Sequence, residues 1–204
     1  DGLDIFQDVV AYVVLLIALL LFHAAFTYSL FLKIIGGLNP LTFFRKMKDV
    51  ALFAFSTSSS AATIPVTLKT TNQDLGVNQN VASFVVPVGA TINMDGTAIM
   101  QGLATVFIAQ MSGIDLTLFQ YIQVILLAVA TSIGTAAVPS AGTITLIIIL
   151  QQFNLPLEAI GIILAVDRVL DMIRTSINVT GDAAIACIVA KTENQLDENI
   201  FNSK

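Results

Sequence analysis

The stretch from Asp167 to Asp182, DRVLDMIRTSINVTGD, constrains this chain more than any other. It lies in the last strongly apolar segment, from about Leu157 to Ala190. An α-helix advances about 100° per residue, so Asp167, Asp171, Arg174, Thr175, Asn178 and Asp182 fall within an arc of roughly 100°. Ile, Leu, Val and Met take the other face. One helix therefore carries a polar stripe about 24 Å long. A charge at the centre of a lipid-exposed helix costs roughly 2.5–3.5 kcal/mol on insertion scales. The stripe must face protein, water or ligand. Structural ion pairs in a bundle interior would account for the charges. The mixture of carboxylates, guanidinium, hydroxyl and amide also suits a zwitterion and small cations.

The rest of the composition sets the class. Only 11% of residues are charged and 56% are hydrophobic, against about 25% charged in soluble domains. This predicts an all-α, multi-pass integral membrane protein. The net charge of −5 says little about partners, because the acids cluster in the tails and the stripe. The basic residues are few and not patterned for nucleic acid. The single cysteine, Cys187, reads as a packing residue and allows no intrachain disulfide. The chain opens DGLDIFQD without an initiator Met, a basic n-region or a signal peptide, which reads as part of a longer protein.

In order, residues 9–35 are apolar and long enough to span a bilayer with some tilt. His23 within them reads as packed or hydrogen-bonded. Residues 41–73 hold two short apolar runs around the cluster Ser56-Thr57-Ser58-Ser59-Ser60. Each run is too short to cross, so the segment reads as a re-entrant hairpin rather than a linker. A non-helical tip is tolerated at membrane depth only where protein buries it or it lines a cavity. Residues 81–111 form a span that Pro87 and Gly89 weaken and Asn93-Met-Asp-Gly-Thr97 interrupts. Unwound backbone there frees carbonyl oxygens, which with a carboxylate suit a hard cation such as sodium. Residues 117–153 form a second hairpin around Thr131 to Gly142. The last helix, 157–191, has a related interruption expected at Asn178 to Asp182.

Lys33, Arg45, Lys46, Lys48, Lys69, Lys191 and Lys204 lie outside the spans or at their ends, which marks those ends as cytoplasmic. The remaining two basic residues, Arg168 and Arg174, belong to the stripe. Ser112 to Leu116 and Phe153 to Glu158 lack Lys and Arg and read as external. The two hairpins therefore enter from opposite sides, and their tips echo each other, SAATIP from Ser60 against TAAVP from Thr135. Oppositely inserted hairpins alternating with two interrupted helices make the inverted repeat of secondary transporters, with sites near the midplane. A channel is the main alternative, but no ring-forming filter is visible.

Four motifs in order resemble those of the glutamate/aspartate transporters, the dicarboxylate/amino acid:cation symporters. They are Ser58-Ser59-Ser60 before Thr63-Ile64-Pro65, NMDGT at Asn93 to Thr97, SIGTAAVPSAG at Ser132 to Gly142, and DMIRTSINVTGD at Asp171 to Asp182. The resemblance runs from about Val9 to Glu193 and covers the transport-domain portion. It implies that Arg174 binds the substrate's side-chain carboxylate and Asp171 its α-amino group. Asn178, Thr175 and the backbone of Ser59 and Ser60 would hold the α-carboxylate, with a contact from Thr97. The tip from Val138 to Gly142 would close as a gate. One sodium site would use Asp182 with carbonyls of Gly89, Asn93 and Asn178. A second would use carbonyls of Thr91, Ser132, Ile133 and Thr135. A third would use Asp95 and the Asn93 side chain, with ligands from a helix not in this chain. The implied ligands are L-aspartate or L-glutamate and sodium as coupling ion, with no other cofactor. The implied assembly is a homotrimer in a cell's inner (plasma) membrane, through a scaffold missing here, worked by an elevator motion.

Asp95, Asp167, Asp171 and Asp182 against Arg168 and Arg174 leave two uncompensated negatives. Closing a dry gate over that excess needs cations, so binding should be cooperative. Relatives for neutral amino acids lack the Arg174 equivalent, and relatives for plain C4-dicarboxylates lack the Asp171 equivalent. Proton-coupled bacterial relatives carry Asn at the Asp182 position, so Asp182 favours sodium, with a proton-coupled glutamate/aspartate or C4-dicarboxylate symporter as the alternative. Gln101 stands where vertebrate members carry a proton-linked glutamate. Ala61, Met100 and Ala137 depart from the usual serine, tyrosine and glycine. An auxiliary arginine is replaced by Ser58 and Met172, leaving Arg168 either to substitute for it or to pair with Asp167.

Overall fold

The computed structural model describes residues 2–203, apart from side-chain placement at positions 2 and 4. Lys204, one of the basic residues used for sidedness, lies outside them. The chain begins as one helical rod: α1 (Gly2–Phe22), a π-helical stretch (His23–Tyr28) and α2 (Ser29–Ile34). Ile5–Ile34 is long and apolar enough to cross a membrane. Most of its surface is uncovered, and Tyr12, Leu16, Leu20, Ala24, Tyr28 and Leu32 form its buried ridge. A ridge at every fourth residue drifts around a 3.6-residue helix. The wider π turn slows that drift and keeps Ala24 and Tyr28 on the buried side.

α3 (Pro40–Thr57) starts where Pro40 presets the first turn and Asn39 accepts from the Leu41 amide at 2.9 Å. It ends at Ser58, in the left-handed region with φ 51°. Ser59 is extended and caps α4 (Ser60–Gln73), accepting from the Ala62 amide at 3.2 Å. The serine tip is thus two residues wide, and α4 folds back onto α3. α5 (Gln79–Ile92) runs through Pro87 and stops at Asn93-Met94, after which α6 (Asp95–Met111) begins. The break falls inside the expected motif. α7 (Leu118–Ile133) opens with a Thr117/Gln120 capping box and is separated from α8 (Ala141–Gln152) by an irregular tip. In that tip Ser140 has φ 60°, so each helix pair turns on a left-handed serine.

The last long helix, α9 (Ile160–Thr192), follows a 3₁₀ turn and is unbroken over 33 residues. The interruption expected at Asn178 to Asp182 is absent, so the fold has one interrupted long helix, not two. Gly181 weakens a helix by about 1 kcal/mol relative to Ala, but this half of α9 packs into one apolar cluster with α3 and α5. A Cβ at Gly181 would fall 2.5 Å from Tyr28 Oη and 2.9 Å from Asn93 Nδ2. The glycine serves close approach, not unwinding.

α9 divides two apolar clusters. One gathers around α1, α6 and α8, and the other around α3, α5 and the C-terminal half of α9. Cys187 is buried in the second. A short α10 (Glu198–Asn202) closes the base of the α3–α4 pair, with Phe201 buried beside Phe43 and Met47. Lys46 Nζ donates to the carbonyls of Asp74 and Ile200, at 2.8 and 2.7 Å.

Candidate functional site

All six stripe residues are buried, and Arg174 is 1% exposed. Arg168 is not part of the buried stripe. It lies on the exposed side of α9, and Asp167 pairs with Arg174 instead. A turn of about 100° from position 167 carries residue 168 off the buried face.

Arg174 is held between two carboxylates of its own helix. Nη1 donates to Asp167 Oδ1 at 3.1 Å, and Nη2 to Asp171 Oδ1 at 2.7 Å. The other oxygen of Asp171 accepts the Ser140 amide at 2.8 Å, which ties the α7–α8 tip to the stripe. The same tip meets the serine tip of α3–α4. The Ala137 carbonyl accepts from Ser59 Oγ at 2.9 Å and from the Ala61 amide at 3.1 Å.

Between the tips lies a cavity of about 20 Å³. It is lined by Ser58, Ser60, Met94, Thr97, Thr135, Ala136, Ala137, Val138, Gly142, Asp171, Arg174, Thr175 and Asn178. That space holds about one water and no amino acid. Ser60, Thr97, Val138, Gly142, Asp171, Arg174, Thr175 and Asn178, all expected at a substrate site, come together here. Ser59 is turned away onto Ala137, whereas the Ser58 hydroxyl is buried among the lining with no partner. Gly142 sits against Thr97, whose Cγ2 would lie 2.7 Å from a Cβ there. Asn178 links the floor, accepting from the Gly96 amide at 2.8 Å and donating to Thr97 Oγ1 at 3.3 Å.

A second polar cluster surrounds the α5–α6 break. Asn93 Nδ2 donates to Asp182 Oδ1 at 3.2 Å, and Gly89 packs directly on the Asp182 carboxylate. The Asn93 side chain thus turns to Asp182 rather than to Asp95. Asp95 Oδ2 instead accepts from Tyr28 Oη at 3.2 Å and meets His23 Nε2 at 3.1 Å. Ser132 and Ile133 close α7 and Thr135 follows it, Thr91 lies in the last turn of α5, and α5 touches α7. Among the described residues no three His, Cys, Asp or Glu cluster. The oxygen-rich surroundings of the break suit a hard cation.

Sequence reasoning did not find the role of Gln101. Fully buried, it donates through Nε2 to the Gly142 carbonyl at 3.0 Å and to Thr145 Oγ1 at 2.8 Å, and accepts from Thr131 Oγ1 at 2.8 Å. It latches both arms of the α7–α8 pair to α6. Its signal in the sequence was a polar residue among apolar neighbours. Each group stripped of its partner costs about 1–3 kcal/mol. Gln101→Leu should therefore raise amide hydrogen exchange at least tenfold over residues 134–145 and leave α3–α4 unchanged. Equal protection in the variant would show that the latch is not what holds the tip.

The small cavity closed between two helix tips and a first helix long and apolar enough to cross a membrane agree with the family that the sequence matches, one of symporters. The chain belongs to the sodium:dicarboxylate symporter family, whose pattern matches residues 1–192. It is 42% identical over 189 residues to an excitatory amino acid transporter of Caenorhabditis elegans, covering 93% of this chain and 38% of that protein. It is 43% identical over 178 residues to human excitatory amino acid transporter 2, covering 87% of this chain and 31% of that protein. With mouse excitatory amino acid transporter 3 it shares 42% identity over 202 residues, 98% of this chain and 39% of that protein. The chain thus spans between 31% and 39% of the length of these curated relatives.

Proposed function

We propose that this chain is the substrate- and cation-binding portion of a transporter that carries L-aspartate or L-glutamate together with sodium. The observation that carries the reading is Arg174 buried against Asp171 at the wall of a cavity too small for its ligand. A guanidinium offers five N–H donors, of which two are engaged here. The remainder can grip a side-chain carboxylate through two points. The Asp171 carboxylate, freed of the Ser140 amide when the tip lifts, is the acceptor for an α-ammonium. Asn178, Thr175 and the backbone at Ser59 and Ser60 hold the α-carboxylate, and Thr97 adds its hydroxyl. The tip from Val138 to Gly142 is the gate.

In this reading the α3–α4 and α7–α8 pairs are re-entrant hairpins inserted from opposite faces of the membrane. Sodium sites form at Asp182 with Gly89, Asn93 and Asn178, at Thr91 with Ser132, Ile133 and Thr135, and at Asp95 with Asn93. Sodium supplies positive charge beside the carboxylates before the gate closes, which makes its binding and that of substrate mutually favourable. A scaffold outside this chain supplies the homotrimer and the surface against which the domain moves as an elevator.

The alternative of proton coupling turns on Asp182. L-Aspartate affinity should be measured against sodium concentration on the full-length protein in detergent, beside Asp182→Asn. Sodium coupling predicts affinity that climbs steeply with sodium in the parent and a dependence at least one power weaker in the variant. Affinity that ignores sodium and follows pH would transfer the chain to the proton-coupled relatives.

A further inference from the structure

The π-helical stretch His23–Tyr28 is of a rare form, and such turns inside α-helices recur at functional sites. It carries two side chains that meet one carboxylate. His23 Nε2 lies 3.1 Å from Asp95 Oδ2, and Tyr28 Oη donates to the same oxygen at 3.2 Å. The two rings stand edge to face with centroids 4.9 Å apart. In an α-helix, residues five apart point about 140° away from each other. A π turn closes its hydrogen bond over five residues, which brings positions 23 and 28 to one side. An ionised carboxylate only accepts, so the His23 ring supplies an N–H. Among the described residues Asp95 is the only hydrogen-bond partner of that ring, and no donor meets Asp95 Oδ1. Tyr28 Oη also donates to the Ile177 carbonyl of α9 at 3.2 Å, which ties the carboxylate to the long helix.

We propose that His23 and Tyr28, brought together by the π turn, are positioning residues for a cation at Asp95: they grip Oδ2, fix the carboxylate and leave Oδ1 to the cation. This rests on the sodium reading above. Neither side chain touches the cation. Carboxylates that ligate a metal are themselves hydrogen-bonded, and loss of such outer partners costs about 10- to 100-fold in metal affinity. Asp95 stands at the start of α6, directly after the break. Without the two donors its side chain would rotate freely, and binding would bear the cost of ordering it.

The test titrates sodium into the full-length protein without aspartate, with choline chloride holding the ionic strength constant. Amide hydrogen exchange is followed over residues 93–97, and the readout is the sodium concentration at half protection. His23→Leu should raise it by a factor of about ten or more. His23→Gln, whose amide Nε2 replaces the ring N–H, should stay within about threefold of the parent, well under the tenfold loss of an outer partner. An unchanged value in His23→Leu overturns the inference. Where that variant does not fold, Tyr28→Phe, which keeps its ring, decides in the same way. A lower value in His23→Leu also overturns it, because the imidazole would then compete with the cation. An equal rise in His23→Gln and His23→Leu overturns it too, because packing and not the N–H would be responsible. A parent that binds aspartate but shows no sodium-dependent protection at 93–97 removes the cation reading of Asp95 and this inference together. A parent that responds to sodium, beside an indifferent His23→Leu, removes this inference alone.

Discussion

Arg174→Ala should lower L-aspartate affinity of the full-length protein by at least a factor of about 100. Two charge-assisted hydrogen bonds to a carboxylate are each worth about 1.5–3 kcal/mol, and tenfold in affinity corresponds to about 1.4 kcal/mol. The same change leaves Asp167 and Asp171, 2% and 5% exposed, without their shared cation. Breaking a buried ion pair from one side costs about 3–5 kcal/mol, so the thermal midpoint should fall as well. Calorimetric titration and thermal unfolding in detergent separate the two effects. Arg174→Lys tests geometry against charge. A single ammonium cannot reproduce the planar fork that serves two carboxylates here, so it should recover part of the stability and little of the affinity. Parental aspartate affinity in Arg174→Ala would refute the assignment of this residue.

The second large effect comes from one substitution made at two glycines of one helix. At Gly181 a Cβ would fall 2.5 Å from Tyr28 Oη and 2.9 Å from Asn93 Nδ2, while at Gly161 nothing lies within 4 Å. Gly161→Ala should stabilise α9 by up to about 1 kcal/mol through helix propensity alone. Gly181→Ala should destabilise by about 1–3 kcal/mol through overpacking, despite the same gain in propensity. It should also weaken sodium binding, because Asn93 must move and Asn93 holds Asp182. Thermal unfolding of the two variants beside the parent gives the signs. Equal midpoints at both positions would mean that Gly181 is not a contact glycine.

These two effects mark where the sequence was readable. The stripe was legible because helical geometry alone puts Asp167, Asp171, Arg174, Thr175 and Asn178 on one face, and all five are buried together. The serine tip and the break at Asn93-Met94 were legible because small polar residues, Gly and Asp interrupt otherwise continuous apolar runs. Gly181 misled for the same reason. A glycine beside an aspartate in a helix reads as a weak point, and nothing local tells that Tyr28, far back in the chain, lies against it.

Local patterning, then, determined the helical class, the two paired half-length helices, the interrupted span and the stripe of α9 that forms one wall of the cavity, whereas Ser60, Thr97, Val138 and Gly142 were expected there from the family resemblance. Tertiary structure alone decided the partners. Asp95 meets His23 across 72 positions, Asn93 meets Asp182 across 89, and Gln101 meets the Gly142 carbonyl across 41. It decided too that Arg174 is shared between Asp167 and Asp171 while Arg168 faces outward. The physical reason is range. Backbone propensity and hydrophobic period act over a few residues, whereas hydrogen bonds and close packing act between whatever the folded chain brings within about 3 to 4 Å.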